Sequence, residues 1–128
     1  GGTITPSSYS IDATRKQGVY AWTGTGSAGT IAHGLGTAPD FVMVKKLNAS
    51  GTYWTGYGSV FPNPTTEENY WNSDDSIGGS STSWNSTAAT STTFSLGSSN
   101  GINGSGNTYV GYAFAQVCGI IDDQDTIK

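Results

Sequence analysis

The chain has one cysteine, one histidine and five Lys plus Arg in 128 residues, and only 11% of it is charged. Each scarcity removes a class of protein. A lone Cys118 closes no internal disulfide, which argues against a small secreted scaffold held by bridges. A lone His33 builds no histidine-based metal cluster and leaves a serine–histidine–acid relay a single base to draw on. Five cations against nine acids give a net charge of −4, so there is no basic stripe for a phosphate backbone and no nucleic-acid partner is expected. No apolar run approaches the ~20 residues of a membrane span, and no signal-peptide pattern opens the sequence, so no membrane insertion is expected either.

What is present is glycine, 19 residues, set among Ser, Thr and Asn, with four Trp, seven Tyr and four Phe spread along the chain. Small polar residues alone would point to disorder. The rings supply the apolar burial that the rest lacks, and this length makes one domain with its own core.

The densest apolar stretch is Phe41-Val42-Met43-Val44, entered through a glycine-rich turn and Pro39 and left through Lys45 and Lys46 into water. It predicts a central strand buried on both faces. Val19-Tyr20-Ala21-Trp22-Thr23 predicts a strand, paired as a hairpin with Thr30-Ile31-Ala32-His33 across a Gly/Ser turn. Residues 10–18 read as a loop with at most one turn of helix. Residues 52–57 predict an aromatic strand, 60–69 the least strand-like stretch, and 70–72 a short strand. Residues 73–83 form a long loop, 92–96 a strand, and 97–107 a Gly/Asn loop. Residues 108–115 form the second strong strand, with Tyr109, Gly111, Ala113 and Ala115 on one face. That row of small residues lets a neighbour approach closely.

With about seven to nine short strands and no convincing amphipathic helix, the fold class is all-β. The expectation is an antiparallel β-sandwich, jelly-roll-like or related. The division is an arm or linker over residues 1–9, able to add an edge strand, the sandwich over 10–119, and an acidic tail over 120–128.

Three segments carry a family resemblance. They are Gly-Thr-Gly-Ser-Ala-Gly-Thr-Ile-Ala-His-Gly-Leu-Gly-Thr-Ala-Pro-Asp-Phe-Val-Met-Val-Lys at 24–45, Phe94-Ser95-Leu96-Gly97, and Thr108-Tyr109-Val110-Gly111-Tyr112-Ala113-Phe114-Ala115. Together with Trp84-Asn85 they resemble a domain of tailed-bacteriophage structural proteins, of the marine and cyanophage type, over roughly residues 9–119. The resemblance implies a virion location on tail or capsid surface, other virion proteins as partners, a homo-oligomer such as the fibre trimer, and no catalytic set. The chain departs from the pattern at Asp40, where a basic residue is more usual, through 56–79, and after Gly119.

No cofactor, metal site or catalytic residue is identified. Glu67-Glu68 and Asp74-Asp75 could supply a glycosidase-like carboxylate pair, but both read as solvated loop acids. His33 in its glycine turn reads as a hydrogen-bonding residue that shapes the loop. Gly24-Thr25-Gly26-Ser27-Ala28-Gly29 opens no helix, which discards the dinucleotide fingerprint. The aromatics are the candidates for ligand contact. Tyr53, Trp54, Tyr57, Tyr70, Trp71 and Trp84 flank polar loops, with Asp74 and Asp75 beside them. Exposed rings stack on the C–H faces of sugars while short polar side chains pair with hydroxyls. The expectation is a non-enzymatic module for adhesion to host-surface glycan, or for presenting such a site. The alternatives are a capsid or tail decoration domain and, less favoured, a glycan depolymerase.

Overall fold

The computed structural model describes residues 1–74 and 78–117, and within them every regular element is a strand. These are β1 (Ser8–Asp12), β2 (Gln17–Thr23), β3 (Gly29–Ala32), β4 (Phe41–Lys46), β5 (Trp54–Gly58), β6 (Glu67–Tyr70), β7 (Gly78–Gly79), β8 (Thr93–Leu96) and β9 (Thr108–Phe114). The fold is an antiparallel β-sandwich. A seven-stranded sheet runs β1-β2-β9-β4-β5-β6-β7, and a two-stranded sheet pairs β3 with β8.

Alternation decides the packing. Tyr20 and Trp22 of β2, Tyr109 and Ala113 of β9, Val42 and Val44 of β4, and Tyr57 of β5 are buried from one face of the large sheet. The opposing layer supplies Ile31 of β3, Phe94 and Leu96 of β8, and the loop residues Leu35, Trp84 and Ile102. Ring pairs fix this core: Tyr20 meets Phe94 edge-on at 5.7 Å, Tyr57 meets Trp84 edge-on at 5.6 Å, and Trp22 stacks on Tyr109 at 5.8 Å. The small-residue face of β9 works as expected, since a Cβ on Gly111 would lie 2.8 Å from the Trp22 ring.

Several expectations change. Residues 10–18 are not a loop: they make the β1–β2 hairpin, with Ser8 opposite Ala21 and Asp12 opposite Gln17. The arm does add an edge strand, and it is packed, because Ile4 is buried and its N–H donates to the Thr30 carbonyl at 2.9 Å. No hairpin joins β2 to β3, because β3 crosses to the second sheet and takes β8 as its partner. The stretch at 67–70 is strand although its sequence is polar, held on β5 by the pairs Thr55–Tyr70 and Gly56–Asn69. β4 is central, but only Val42 and Val44 are fully buried; Phe41 and Met43 are half-exposed on the outer face. Lys46 does not return to water: it is 8% exposed, and its Nζ donates to Asn100 Oδ1 at 3.3 Å. Cys118 and the acidic tail at 120–128 lie outside the described residues.

Candidate functional site

The six rings singled out by sequence separate into three places. Tyr57, 5% exposed, and Trp84, 1% exposed, are core. Neither can offer a face to a ligand, because β5 turns Tyr57 inward and Trp84 covers it from the loop layer. Trp54 and Trp71 lie on the outer face of the large sheet. Trp54 is half-buried and tilted against Tyr112 at 6.0 Å. Trp71, 47% exposed, lies directly over Gly56 and meets Phe41 edge-on at 5.1 Å. Only a glycine at position 56 leaves room for that indole. Phe41, Met43, Trp71 and Phe114 together line an apolar groove of about 220 Å³.

Tyr53 and Tyr70 form the third group. Their rings lie 4.6 Å apart at 30°, with Tyr53 40% exposed. They line a cleft of about 250 Å³, shared with Thr52, Thr55, Glu68, Ser99 and Gly101. Strand periodicity explains the grouping. Glu68 and Tyr70 stand two apart on β6 and share a face, and Thr55 is directly across from Tyr70 on β5. The loop at 99–101 closes the cleft because Ser99 N–H donates to the Thr82 carbonyl at 3.0 Å and Asn103 N–H to the Ser99 carbonyl at 2.8 Å.

Glu68 is the chemical centre of this cleft, and the sequence reading treated it as a solvated loop acid. The structure corrects that. Its Oε2 accepts from the Tyr70 hydroxyl, and its Oε1 accepts from the Ser83 and Ser99 hydroxyls, tying β6 to two loops. Glu67 instead accepts from Asn63 Nδ2 at 2.8 Å. As strand neighbours the two acids point to opposite faces, so they cannot flank one glycosidic bond. Asp74 is exposed, and Asp75 lies outside the described residues. The signal for Glu68 was present as the Glu68-x-Tyr70 spacing, but it reads as strand only once 67–70 is known to pair.

His33 is fully buried and structural. Its Nδ1 accepts the Leu35 N–H at 3.0 Å, and Nε2 lies 2.9 Å from the Thr90 carbonyl, which together set the tautomer with hydrogen on Nε2. Among the described residues no three His, Cys, Asp or Glu side chains gather as metal ligands, and no helix is long and apolar enough to cross a membrane.

Residues 1–121 match the family described as Domain of unknown function (DUF7483). The chain belongs to that family. No curated protein and no solved structure matches it. The family therefore adds no ligand to the cleft, and its chemistry has to be read from the side chains in it.

Proposed function

We propose that this DUF7483 chain is a non-enzymatic module of a bacteriophage virion, carried on a tail fibre or similar appendage, that adheres to host-surface glycan. The observation that carries the reading is the cleft in which the Tyr53–Tyr70 ring pair and the Glu68 carboxylate meet the hydroxyls of Thr52 and Ser99. Rings for C–H faces, with fixed acceptors and hydroxyls beside them, are what a sugar needs. The phage setting rests on the segments at 24–45, 94–97 and 108–115. An array of bacterial surface glycans tests the reading. Binding that Tyr53→Ala abolishes and Trp71→Ala leaves in place supports it, whereas an array without a hit sinks it.

A second reading has its own support. The apolar groove of Phe41, Met43, Trp71 and Phe114 suits a decoration domain whose partners are other virion proteins. Loss of particle association in Trp71→Ser, with no glycan bound by the parent chain, favours it. Depolymerase activity is disfavoured by the opposite facing of Glu67 and Glu68, and release of reducing ends from host polysaccharide would restore it.

A further inference from the structure

We propose that the outer face of the seven-stranded sheet is covered by the same face of a second copy of this chain, the two packed sheet on sheet about a two-fold axis. This pairing is independent of what the cleft binds. Outward side chains of neighbouring strands meet in register there. Val19 of β2, Tyr112 of β9 and Met43 of β4 form one row, and Phe114 and Phe41 lie in the next. Where β5 carries glycine, rings from elsewhere fill the rows, Trp71 over Gly56 and Phe61 over Gly58. Among the described residues no second layer of strands lies on this face.

Its relief suits side chains and not a stacked sugar. Phe41 meets Trp71 at 67° and Phe61 at 87°, and Trp54 meets Tyr112 at 45°, so the rings present edges and gaps in place of one plane. Phe114, 37% exposed, stands between two hollows and lines both. One, of about 240 Å³, lies towards Val19, and the other, of about 220 Å³, towards Met43 and Trp71. A ridge flanked by hollows is complementary to itself, because a two-fold turn lays the ring of each copy in a hollow of the other.

Charge favours the same partner. The ionic groups on the border are engaged within the chain. Asp12 holds Arg15 at 3.0 Å, Asp40 accepts from the Ser59 hydroxyl at 3.2 Å and the Gln116 N–H at 2.8 Å, and Glu67 accepts from Asn63 at 2.8 Å. Lys45 Nζ donates to the Thr52 carbonyl at 2.8 Å. None of these reaches out for a partner of opposite charge. Two chains of net charge −4 repel, and this neutral face is where they approach at least cost. Four strands about 4.8 Å apart, with the seven residues of β9 at about 3.4 Å each, make a patch of about 20 by 24 Å. Two such patches bury about 1,000 Å², where specific but reversible interfaces begin.

Met43 is the single methionine, so it places one reporter inside the patch. The full chain, ¹³C-labelled at the methionine methyl, is followed from about 5 to about 500 µM alongside sedimentation equilibrium. The mass should rise towards two copies as the methyl resonance moves. Mixing labelled with unlabelled chain should give nuclear Overhauser contacts from that methyl to aromatic protons of the other copy. Anilinonaphthalene sulfonate bound by the dilute chain should be displaced as the dimer forms, and about 0.5 M NaCl should leave the dimer as tight or tighter. Phe114→Lys, shown to be folded by circular dichroism, should weaken association about tenfold or more, while Tyr53→Ala in the cleft leaves it within about twofold. A monomer at every concentration overturns the proposal. If it binds the dye, the face is left to a different protein, and if it excludes the dye, its own chain covers the face. Association that leaves Met43 unmoved, survives Phe114→Lys or proceeds to a trimer overturns it too.

Discussion

His33 anchors the glycine turn through four bonds, two of them to the distant segment at 90–92. Its ring joins Leu35 N–H and the Thr90 carbonyl, its own N–H donates to the Thr92 carbonyl at 3.1 Å, and its carbonyl accepts the Tyr20 hydroxyl at 2.5 Å. His33→Ala leaves the buried Leu35 N–H unpaired, removes the partner of the Thr90 carbonyl and opens a void beside Leu35, so it should cost about 2–4 kcal/mol in urea unfolding. Burial pushes the Tyr20 phenol up to about 12, and burial also raises Tyr109 against the opposing hydrogen bonds from Gly104 and Asn107. A phenol harder to ionise in the folded state adds stability that is fully present below its unfolded value near 10 and is lost as pH rises toward 12. The urea midpoint should therefore fall between pH about 10 and 12, and Tyr20→Phe should flatten that fall. The role of His33 was legible in the sequence because one histidine at the head of a glycine turn has few options. The fates of Tyr57, Trp71 and Trp84 were not, since each ring flanks polar residues and only the covering layer decides which is buried.

Elements were legible where composition and pairing agreed. β4 and β9 are adjacent in the sheet, with Val44 opposite Gly111, and both stood out by their β-branched and aromatic content. The small-residue face of β9 makes a direct prediction. Gly111→Ala would press a methyl 2.8 Å from the Trp22 ring, and should cost about 1–3 kcal/mol in thermal or urea unfolding without loss of secondary structure by circular dichroism. The β2–β3 hairpin failed because the intervening glycines serve a different end. Gly24 N–H donates to the Asn107 carbonyl at 2.8 Å and Gly26 N–H to the Asn103 carbonyl at 2.8 Å, so the linker docks on the 97–107 loop and carries the chain into the other sheet. Strands near in sequence pair most of the time, but not at a sheet crossover. The β1–β2 hairpin was missed because its turn is held by side chains and not by glycine. Asp12 Oδ1 accepts from the N–H groups of Thr14 and Arg15, and Lys16 takes φ 57°. Backbone donation from Arg15, followed by its guanidinium at 3.0 Å, holds the Asp12 carboxyl below the usual range.

The molecule has two unlike surfaces on one sheet. The inner face is closed by β3, β8 and loops except where the cleft opens beside β5 and β6. The outer face carries Phe41, Met43, Tyr112 and Phe114 without a second layer among the described residues. The proposed adhesion through the cleft would make these surfaces independent, and the double variant Trp71→Ser, Phe114→Ser separates them. Trp71 is 47% and Phe114 37% exposed, so only part of each side chain's burial is lost, about 2–4 kcal/mol for the pair. The variant should stay folded, bind an apolar dye such as anilinonaphthalene sulfonate more weakly, and keep any glycan binding of the parent within about twofold. The two sites lie on opposite faces, so removing one leaves the Tyr53–Tyr70 platform and the Glu68 bonds untouched. Glycan binding that falls with the dye signal, in a variant that circular dichroism shows to be folded under the assay conditions, would move the ligand surface to the apolar groove.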